Sequence, residues 1–175
     1  LAHKKMDFAS YIRDIEDFPK PGVVFKDITP LLKDPKAFQK AGEALLGLTA
    51  NMKIDKVVGV DSRGFIFAPM MAEKLGAGFV TVRKSGKLPF HTVSESYDLE
   101  YGTGILEMHS DAIEKGDKVL VHDDVLATGG TAQAVCKLVE KLGGEVVQCN
   151  FLIELTFLQG AEKIKQYQKE VLLQY

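Results

Sequence analysis

Two adjacent acids followed by a turn of small residues stand out in the stretch VLVHDDVLATGGTA, which begins at Val119. Asp123 and Asp124 come after an apolar run that is typical of a buried parallel strand, and apolar residues recur at helical spacing after Thr131. The stretch therefore predicts a strand, a loop and a helix. Open α/β sheets bind ligands at the carboxyl ends of their strands, which is where this loop begins.

The loop has the chemistry of a phosphate site. Its glycines let the backbone approach an anion, and the N–H groups at the helix start and two threonine hydroxyls can each contribute roughly 1.5–3 kcal/mol toward a charged acceptor. The two carboxylates suit sugar hydroxyls or a metal-bound water instead. We therefore predict a ribose phosphate site, and an ordinary turn with solvated aspartates is the alternative that these residues leave open. The predicted phosphate-binding residues are Ala127, Thr128, Gly129, Gly130 and Thr131.

Two further segments offer positive charge and hydrogen-bond donors. One predicted strand ends in Asp-Ser-Arg-Gly, where Ser62 can donate from its backbone and Arg63 from its guanidinium group. Another predicted strand is followed by Arg83, Lys84 and Lys87, which would stabilise a departing anion. A surface salt bridge for the first segment and a solvated charged face for the second are the alternatives.

Together these segments resemble the type I phosphoribosyltransferase family, whose motif for phosphoribosyl pyrophosphate (PRPP) is two acids followed by Ala-Thr-Gly-Gly-Thr. Other stretches are similar to the adenine-specific branch of the family and cover most of the chain in its order. They are FPKPGVVFKDITPLLKDP from Phe18, VVGVDSRGFIFAP from Val57, VRKSGKLP from Val82, SYDLEYG from Ser96 and LIELTFLQG from Leu152. The resemblance implies transfer of 5-phosphoribose from PRPP to adenine, giving AMP and pyrophosphate. The implied fold is α/β, a mostly parallel twisted sheet flanked by helices, with a small N-terminal hood and a flexible lid loop.

Within this resemblance, separate groups of residues hold the parts of PRPP. Asp123 and Asp124 would hold the ribose hydroxyls, and the loop after them would hold the 5-phosphate. In the family, the peptide before the equivalent of Ser62 is often cis, and the equivalent of Arg83 can come from a dimer partner. Arg83 and Lys87 are the stronger pyrophosphate candidates. The whole pyrophosphate set is Ser62, Arg63, Arg83, Lys84, Lys87 and Tyr101.

The resemblance also implies an adenine pocket. The ring of Phe25 would stack on one face of the base, which contributes roughly 1–3 kcal/mol, and Leu155 would cover the other face. Backbone groups at Val24 and Lys26 would contact the edge of the base, although many relatives carry arginine where Lys26 stands. Packing between a helix and the sheet is the alternative for Phe25. The full set is Val24, Phe25, Lys26, Arg63 and Leu155.

Glu100 and Tyr101 lie in a polar stretch of about residues 84–103, which we call the lid segment. It lacks sustained periodicity, and such long segments in compact domains are often functional. By resemblance, Glu100 would orient adenine or take its proton, and Tyr101 would contact pyrophosphate or shield the reacting carbon from water. Arg63 completes the implied catalytic set. On sequence alone, an acid and a tyrosine in a polar loop more often have no catalytic role.

The resemblance further implies a Mg²⁺ cofactor and a homodimer. The sequence has no metal-ligand cluster, so the ion would be held mainly by substrate oxygens and waters. Two alternatives remain: a transferase for another 6-substituted purine, such as xanthine or hypoxanthine, and a non-catalytic PRPP-sensing regulator. The regulator is the weaker alternative because the chain shows no room for a winged helix and no basic recognition stretch.

Composition supports a compact enzyme and argues against other classes. The 175 residues, 46% hydrophobic and 26% charged, predict one domain with a buried core. A net charge of -2 gives no electrostatic case for nucleic acid or an anionic membrane surface, and neither a membrane span nor a signal peptide is visible. Cys136 and Cys149 lack disulfide or metal spacing, which favours buried thiols in a reducing compartment, with the cytoplasm as the default.

Alternating helical and strand patterns predict the elements that position these residues in a single domain of residues 1–175, with about 1–34 as the hood. The spacing of Phe8, Tyr11, Ile12 and Ile15 indicates a first helix that ends at a turn over residues 19–22. Right-handed crossovers would join the strands into a largely parallel sheet. The other predicted elements are helices at 35–49, 65–75 and after 131, and strands at 56–60, 79–83, 104–108, 118–122 and 145–154.

Overall fold

The computed structural model of the protein describes residues 6–98 and 103–175, and the chain divides into two compact units, Leu1–Ala44 and Leu45–Tyr175. The first unit contains a 3-10 helix at Phe8–Tyr11, strands β1 (Arg13–Ile15) and β2 (Phe25–Asp27), helix α1 (Thr29–Lys33) and most of helix α2 (Pro35–Gly47). Strands β1 and β2 pair antiparallel. The predicted helix at 35–49 is confirmed and ends two residues early.

The predicted first helix is wrong beyond its first turn, because the chain becomes extended and forms β1. Cross-strand ion pairs hold this strand in place: Arg13 contacts Asp27 at 2.9 Å, and Lys26 Nζ contacts Asp14 at 2.7 Å. Strand pairing therefore outweighs the helical spacing of the apolar residues. The predicted turn over residues 19–22 is confirmed.

The second unit is built around one sheet. Its strands are β3 (Lys56–Val60), β4 (Gly78–Lys84), β5 (Thr92–Asp98), β6 (Thr103–His109), β7 (Lys118–Leu126), β8 (Glu145–Glu154) and β9 (Lys169–Gln174). Among the described residues the sheet has seven strands in the order β5-β6-β4-β3-β7-β8-β9. The pairings β3–β4, β3–β7, β7–β8 and β8–β9 are parallel, and the two pairings of β6 are antiparallel. The predicted mostly parallel sheet is confirmed.

Two helices pack with this sheet, α3 (Ala68–Leu75) and α4 (Gly130–Lys141). Helix α3 starts later than predicted because residues 63–65 form a separate 3-10 helix, and Pro69 occupies the first turn of α3. Helix α4 buries Val135 and Leu138 in one core with strand residues such as Val121. No helix in residues 6–98 and 103–175 is long and apolar enough to cross a membrane.

Strand β7 is four residues longer than predicted and includes both acids of the opening motif. Its pairing with β8 continues past them, with Asp123 opposite Phe151 and Leu126 opposite Glu154. Because the ladder does not stop at His122, Asp124 takes a buried position in the sheet and is 3% exposed. Strand β9 was not predicted at all.

The lid segment was predicted without regular structure, but it contains β5. In this strand, side chains alternate between the two faces, and Glu95 takes a half-buried position next to α4. Its carboxylate contacts Lys141 Nζ at 2.5 Å, and Lys141 also donates to the carbonyl of Ser94 at 2.6 Å. Glu95 is charged although its position is half-buried, so the sequence of β5 lacks the usual alternation of polar and apolar residues. The sequence gives no sign of this because its partner, Lys141, lies on α4, far along the chain.

A buried histidine precedes the two acids in β7. His122 Nδ1 lies 2.7 Å from Asn150 Oδ1, and the His122 and Phe67 rings meet edge to face with centroids 6.3 Å apart. Burial lowers the pKa of His122 from 6.5 to about 4, although the hydrogen bond to Asn150 opposes the shift. The imidazole is therefore neutral in the folded protein at physiological pH.

This histidine predicts a specific pH dependence of stability. Unfolded His122 protonates near pH 6.5 and the folded residue only near its lowered pKa of about 4, so the contribution to stability is complete above 6.5 and is lost as pH falls through this window. The loss should be about 1.4 kcal/mol per pH unit. Urea unfolding of the wild type and His122→Gln at about pH 7 and about pH 5 should show a smaller decrease in the variant. The exposed His91→Gln is the control; an equal decrease in all three proteins would contradict the prediction.

Candidate active site

The predicted phosphate loop connects β7 to α4. Gly129 has a φ of +79° and a ψ of -5°, a left-handed conformation that glycine adopts readily, and it directly precedes the first residue of α4. The first N–H groups of a helix have no partner inside the helix, so those of α4 suit an anion. A pocket of about 70 Å³ lies at the loop. Its lining includes Asp123, Ala127, Thr128, Gly129 and Thr131.

The loop lies directly against the backbone of the 3-10 helix Gly160–Ile164. A Cβ atom added to Gly129 would come within 2.2 Å of the Gly160 carbonyl oxygen. A Cβ atom on Gly160 would come within 2.2 Å of the Ala127 carbonyl oxygen and 2.8 Å of the Gly129 nitrogen. Neither glycine can carry a side chain unless the backbone shifts. No role was predicted for Gly160, whose only signal in the sequence is its place at the end of a stretch that resembles the family.

The two acids of β7 meet the Asp-Ser-Arg-Gly turn. Arg63 Nε lies 2.7 Å from Asp124 Oδ2. Gly64 allows this approach, because a Cβ atom there would lie 3.1 Å from both Asp123 Oδ1 and the His122 carbonyl. Burial, with repulsion from Asp124, raises the pKa of Asp123 well above its usual range. Burial also raises the pKa of Asp124, and the Arg63 guanidinium opposes that shift.

A second cluster joins two of the predicted pyrophosphate residues. Arg83 Nε at 3.1 Å and Lys87 Nζ at 3.3 Å both contact Asp61 Oδ2. Burial alone would raise the pKa of Asp61, but the two cations outweigh it and hold the pKa below 3.8. Lys84 is exposed and lies outside the cluster, because neighbouring residues of β4 point to opposite faces. The peptide between Asp61 and Ser62 is cis, as the resemblance implied.

Asp61 belongs to this cluster of the candidate site, although no role was predicted for it. The signal was its position as the first acid after β3, where parallel strands carry ligand-binding residues. Its partners are 22 and 26 residues away in the chain, so the spacing of charges in the sequence did not reveal them.

Most of the predicted adenine pocket lies in the first unit. The half-buried ring of Phe25 meets Phe18 edge to face, with centroids 5.3 Å apart. Val24 is 44% exposed, so its backbone is near solvent. Lys26 Nζ is paired with Asp14, which directs this side chain along the β1–β2 pair. In this structure, the Lys26 side chain therefore pairs with a residue of the neighbouring strand.

The remaining predicted residues belong to the second unit or fall outside the described residues. Leu155 follows β8, and its N–H donates to the last residue of β7 at 2.9 Å. Glu100 and Tyr101 lie outside the described residues. Strand β5 ends just before them, and the Asp98 carbonyl oxygen lies 3.3 Å from a Cβ atom placed on Gly130. The end of β5 therefore lies next to the start of α4.

Comparison with known proteins shows the family to which the chain belongs. The family model described as "Phosphoribosyl transferase domain" matches residues 27–174. A curated adenine phosphoribosyltransferase from Christiangramia forsetii is 62% identical over 97% of this chain and 99% of its own length. The chain belongs to the adenine phosphoribosyltransferase family.

Solved structures of this family share the fold. The adenine phosphoribosyltransferase of Rhodothermus marinus covers 96% of both chains with a TM-score of 0.92 and 56% identity. The Saccharomyces cerevisiae enzyme, solved with adenine and an iminoaltritol bisphosphate, covers 95% of this chain and 96% of its own with a TM-score of 0.90 and 39% identity. The type I phosphoribosyltransferase fold expected from the sequence is therefore confirmed.

The contact between the two glycines predicts the effect of a small substitution. In Gly160→Ala, the added methyl group must displace the phosphate loop, and overpacking of this kind costs about 1–3 kcal/mol. We expect affinity for ribose 5-phosphate, measured by calorimetry, to decrease roughly tenfold, since about 1.4 kcal/mol is a factor of ten. Gly47→Ala, with nothing within 4 Å of the added atom, is the matched control. Wild-type affinity in a folded Gly160→Ala protein would show that the loop tolerates the shift.

Proposed function

We propose that the protein transfers 5-phosphoribose from PRPP to N9 of adenine, giving AMP and pyrophosphate, a reaction of purine salvage. The observation that carries this proposal is the meeting of Arg63 with Asp124 at 2.7 Å beside the phosphate loop. This pair joins the turn assigned to pyrophosphate with the acids assigned to ribose, so the ribose and the pyrophosphate group of PRPP have adjacent places. The curated relatives named adenine phosphoribosyltransferase support the same reaction.

The ribose phosphate half of PRPP would lie along the end of β7 and the start of α4. Asp123 and Asp124 accept hydrogen bonds from the ribose hydroxyls. The backbone N–H groups and threonine hydroxyls of residues 127–131 donate to the 5-phosphate. Binding at these two places would fix the orientation of the ribose ring and of its anomeric carbon.

The pyrophosphate group would bind Arg83 and Lys87, the two cations that contact Asp61 in this structure. Arg83 and Lys87 share one oxygen of Asp61, and both are charged donors within reach of the Asp-Ser-Arg-Gly turn. Ser62 and Arg63 add donors from the turn, and Lys84 and Tyr101 complete the proposed set. Positive charge at this point stabilises the negative charge that develops on the leaving group.

The residues proposed for adenine are Phe25 and Leu155 for the two faces of the base and the backbone of Val24 and Lys26 for its edge. Arg63 completes this set. Bases stack well on aromatic rings, but stacking does not distinguish adenine from guanine. The choice of base therefore rests on backbone donors and acceptors. The yeast structure solved with adenine supports a purine pocket in this family.

Glu100, Tyr101 and Arg63 are the proposed catalytic residues. Departure of pyrophosphate leaves an electron-poor ribose carbon, and attack by adenine requires loss of a proton from the base. Glu100 orients the base or accepts that proton. Tyr101 shields the carbon from water, which would otherwise hydrolyse PRPP. Because base and pyrophosphate occupy opposite faces, the anomeric carbon is inverted.

Mg²⁺ is the proposed cofactor. No group of three or more His, Cys, Asp or Glu side chains in residues 6–98 and 103–175 is arranged to hold a metal ion. Asp123 and Asp124 nevertheless offer carboxylate oxygens beside the phosphate loop, and Mg²⁺ commonly combines one or two carboxylates with waters and phosphates. These acids would hold the ion through its waters, with PRPP oxygens as the main ligands. When bound, Mg²⁺ would neutralise charge on the pyrophosphate group.

We also propose a homodimer in the cytoplasm. Phe79, Phe90 and Ile105 are 37%, 56% and 48% exposed, and large exposed apolar side chains suit a partner surface. In the family the equivalent of Arg83 can come from a dimer partner, but in this structure Arg83 contacts Asp61 of its own chain. The cytoplasmic location is supported by Cys136 and Cys149, whose buried Sγ atoms lie 3.5 Å apart as free thiols.

An assay of purine preference tests the proposed reaction. With PRPP and Mg²⁺, we expect nucleotide formation from adenine and little from guanine, hypoxanthine or xanthine, measured by chromatography of the products. The double variant Asp123→Asn with Asp124→Asn should have weaker PRPP binding or lower activity, because the ribose acceptors are changed. Preference for another purine would establish the alternative transferase. PRPP binding without product from any base would favour the regulator.

The role of Glu100 has its own test. Glu100→Gln keeps the shape of the side chain but removes the base, and general base catalysis typically contributes about 10²–10⁴-fold. We expect kcat to fall within that range while the KM for PRPP changes little. Steady-state kinetics with both substrates measures the two effects. Unchanged turnover would remove Glu100 from the chemistry.

A further inference from the structure

The phosphate loop lacks a cation of its own. Residues 127–131 are Ala-Thr-Gly-Gly-Thr, and the nearby residues of β7 are acids. A phosphate monoester brings up to two negative charges, and hydrogen bonds from charged donors are about twice as strong as neutral ones. The cationic residues proposed above for PRPP, which are Arg63, Arg83, Lys84 and Lys87, are assigned to its pyrophosphate end. The negative charge of the 5-phosphate therefore has to be balanced by a side chain other than these.

One lysine from a distant part of the chain lies next to the loop. Lys163 belongs to the 3-10 helix Gly160–Ile164, whose first residue contacts the loop backbone. Lys163 Nζ lies 3.9 Å from a Cβ atom placed on Gly130, the first residue of α4. The Gln133 side chain donates to the Lys163 carbonyl at 3.1 Å and ties this part of the helix to α4.

The charge of Lys163 has no carboxylate partner in the part of the chain that the structure describes. Within residues 6–98 and 103–175, Lys163 has no ion pair, whereas Lys165, two residues later, contacts Glu162 at 4.0 Å. The amino end of a helix carries partial positive charge, so a lysine there is unfavourable unless an anion joins it. Lys163 is also half-buried, which limits screening by water.

We propose that Lys163 is a binding residue for the 5-phosphate of PRPP and AMP. This proposal rests on the proposed function, since the same phosphate loop must bind the substrate. The backbone of residues 127–131 provides the directional hydrogen bonds, and Lys163 provides the positive charge. A Cβ atom placed on Gly130 would lie 3.9 Å from Lys163 Nζ and 3.3 Å from the Asp98 carbonyl oxygen, so this charge lies at the start of α4.

Three variants test this assignment. Lys163→Met removes the charge and keeps most of the stem, Lys163→Arg keeps the charge, and Lys165→Met removes an exposed charge from the same segment. Calorimetry with ribose 5-phosphate and AMP should show affinity about tenfold weaker for Lys163→Met and near the wild-type value for the other two. The dependence of ribose 5-phosphate affinity on salt concentration should also be smaller in Lys163→Met. Adenine binding should not change.

The outcomes separate this proposal from the proposed function. If the wild type forms AMP and Lys163→Met binds ribose 5-phosphate as tightly as the wild type, the role of Lys163 is overturned. If Lys163→Arg is as weak as Lys163→Met, packing rather than charge is responsible and the proposal also fails. If the wild type neither binds ribose 5-phosphate nor forms a nucleotide, the proposed function itself fails. Thermal unfolding of all three variants shows whether a loss of affinity reflects a loss of folding.

Discussion

Two carboxylates side by side in a buried strand are the constraint on which the site depends. Asp123 and Asp124 sit in the β7–β8 ladder, where burial raises the pKa of both groups. Isolated charges are costly in such a place, so a cation must approach. Arg63 is that cation, and its Nε lies 2.7 Å from Asp124 Oδ2. Gly64 has no side chain, so the turn that carries Arg63 can approach the two acids. The adjacency of the proposed ribose and pyrophosphate regions follows from this one contact.

Close backbone packing shapes the other side of the site. Gly129 and Gly160 allow the phosphate loop and the 3-10 helix Gly160–Ile164 to approach so closely that no side chain would fit at either position. The same contact brings Lys163 to the start of α4. Helix α4 is in turn tied to β5 through Glu95 and Lys141, so the phosphate loop and the base of the lid segment share one support.

Sequence patterns predicted much of the fold but failed where contacts come from far along the chain. Strands β3 and β8 were predicted to the residue, because continuous apolar runs mark strands buried on both faces. The helix predicted from Phe8 to Ile15 was mostly wrong because cross-strand ion pairs outweighed its spacing. Strand β5 was hidden by Glu95, whose partner Lys141 is 46 positions away. The candidate site followed the same rule: the motif loops were found, whereas Asp61, Gly160 and Lys163 were not.

The sequence by itself determined the family, the acid pair, the phosphate loop and the types of residue that would hold each part of the substrate. These features are local, because a loop that binds an anion needs a particular short order of small residues and donors. Only the tertiary structure decided that β7 continues through the acids, that Arg63 reaches Asp124 and that Asp61 gathers Arg83 and Lys87. The physical reason is that charge balance and backbone contact act through space, and the residues that satisfy them lie on strands and helices far apart in the chain.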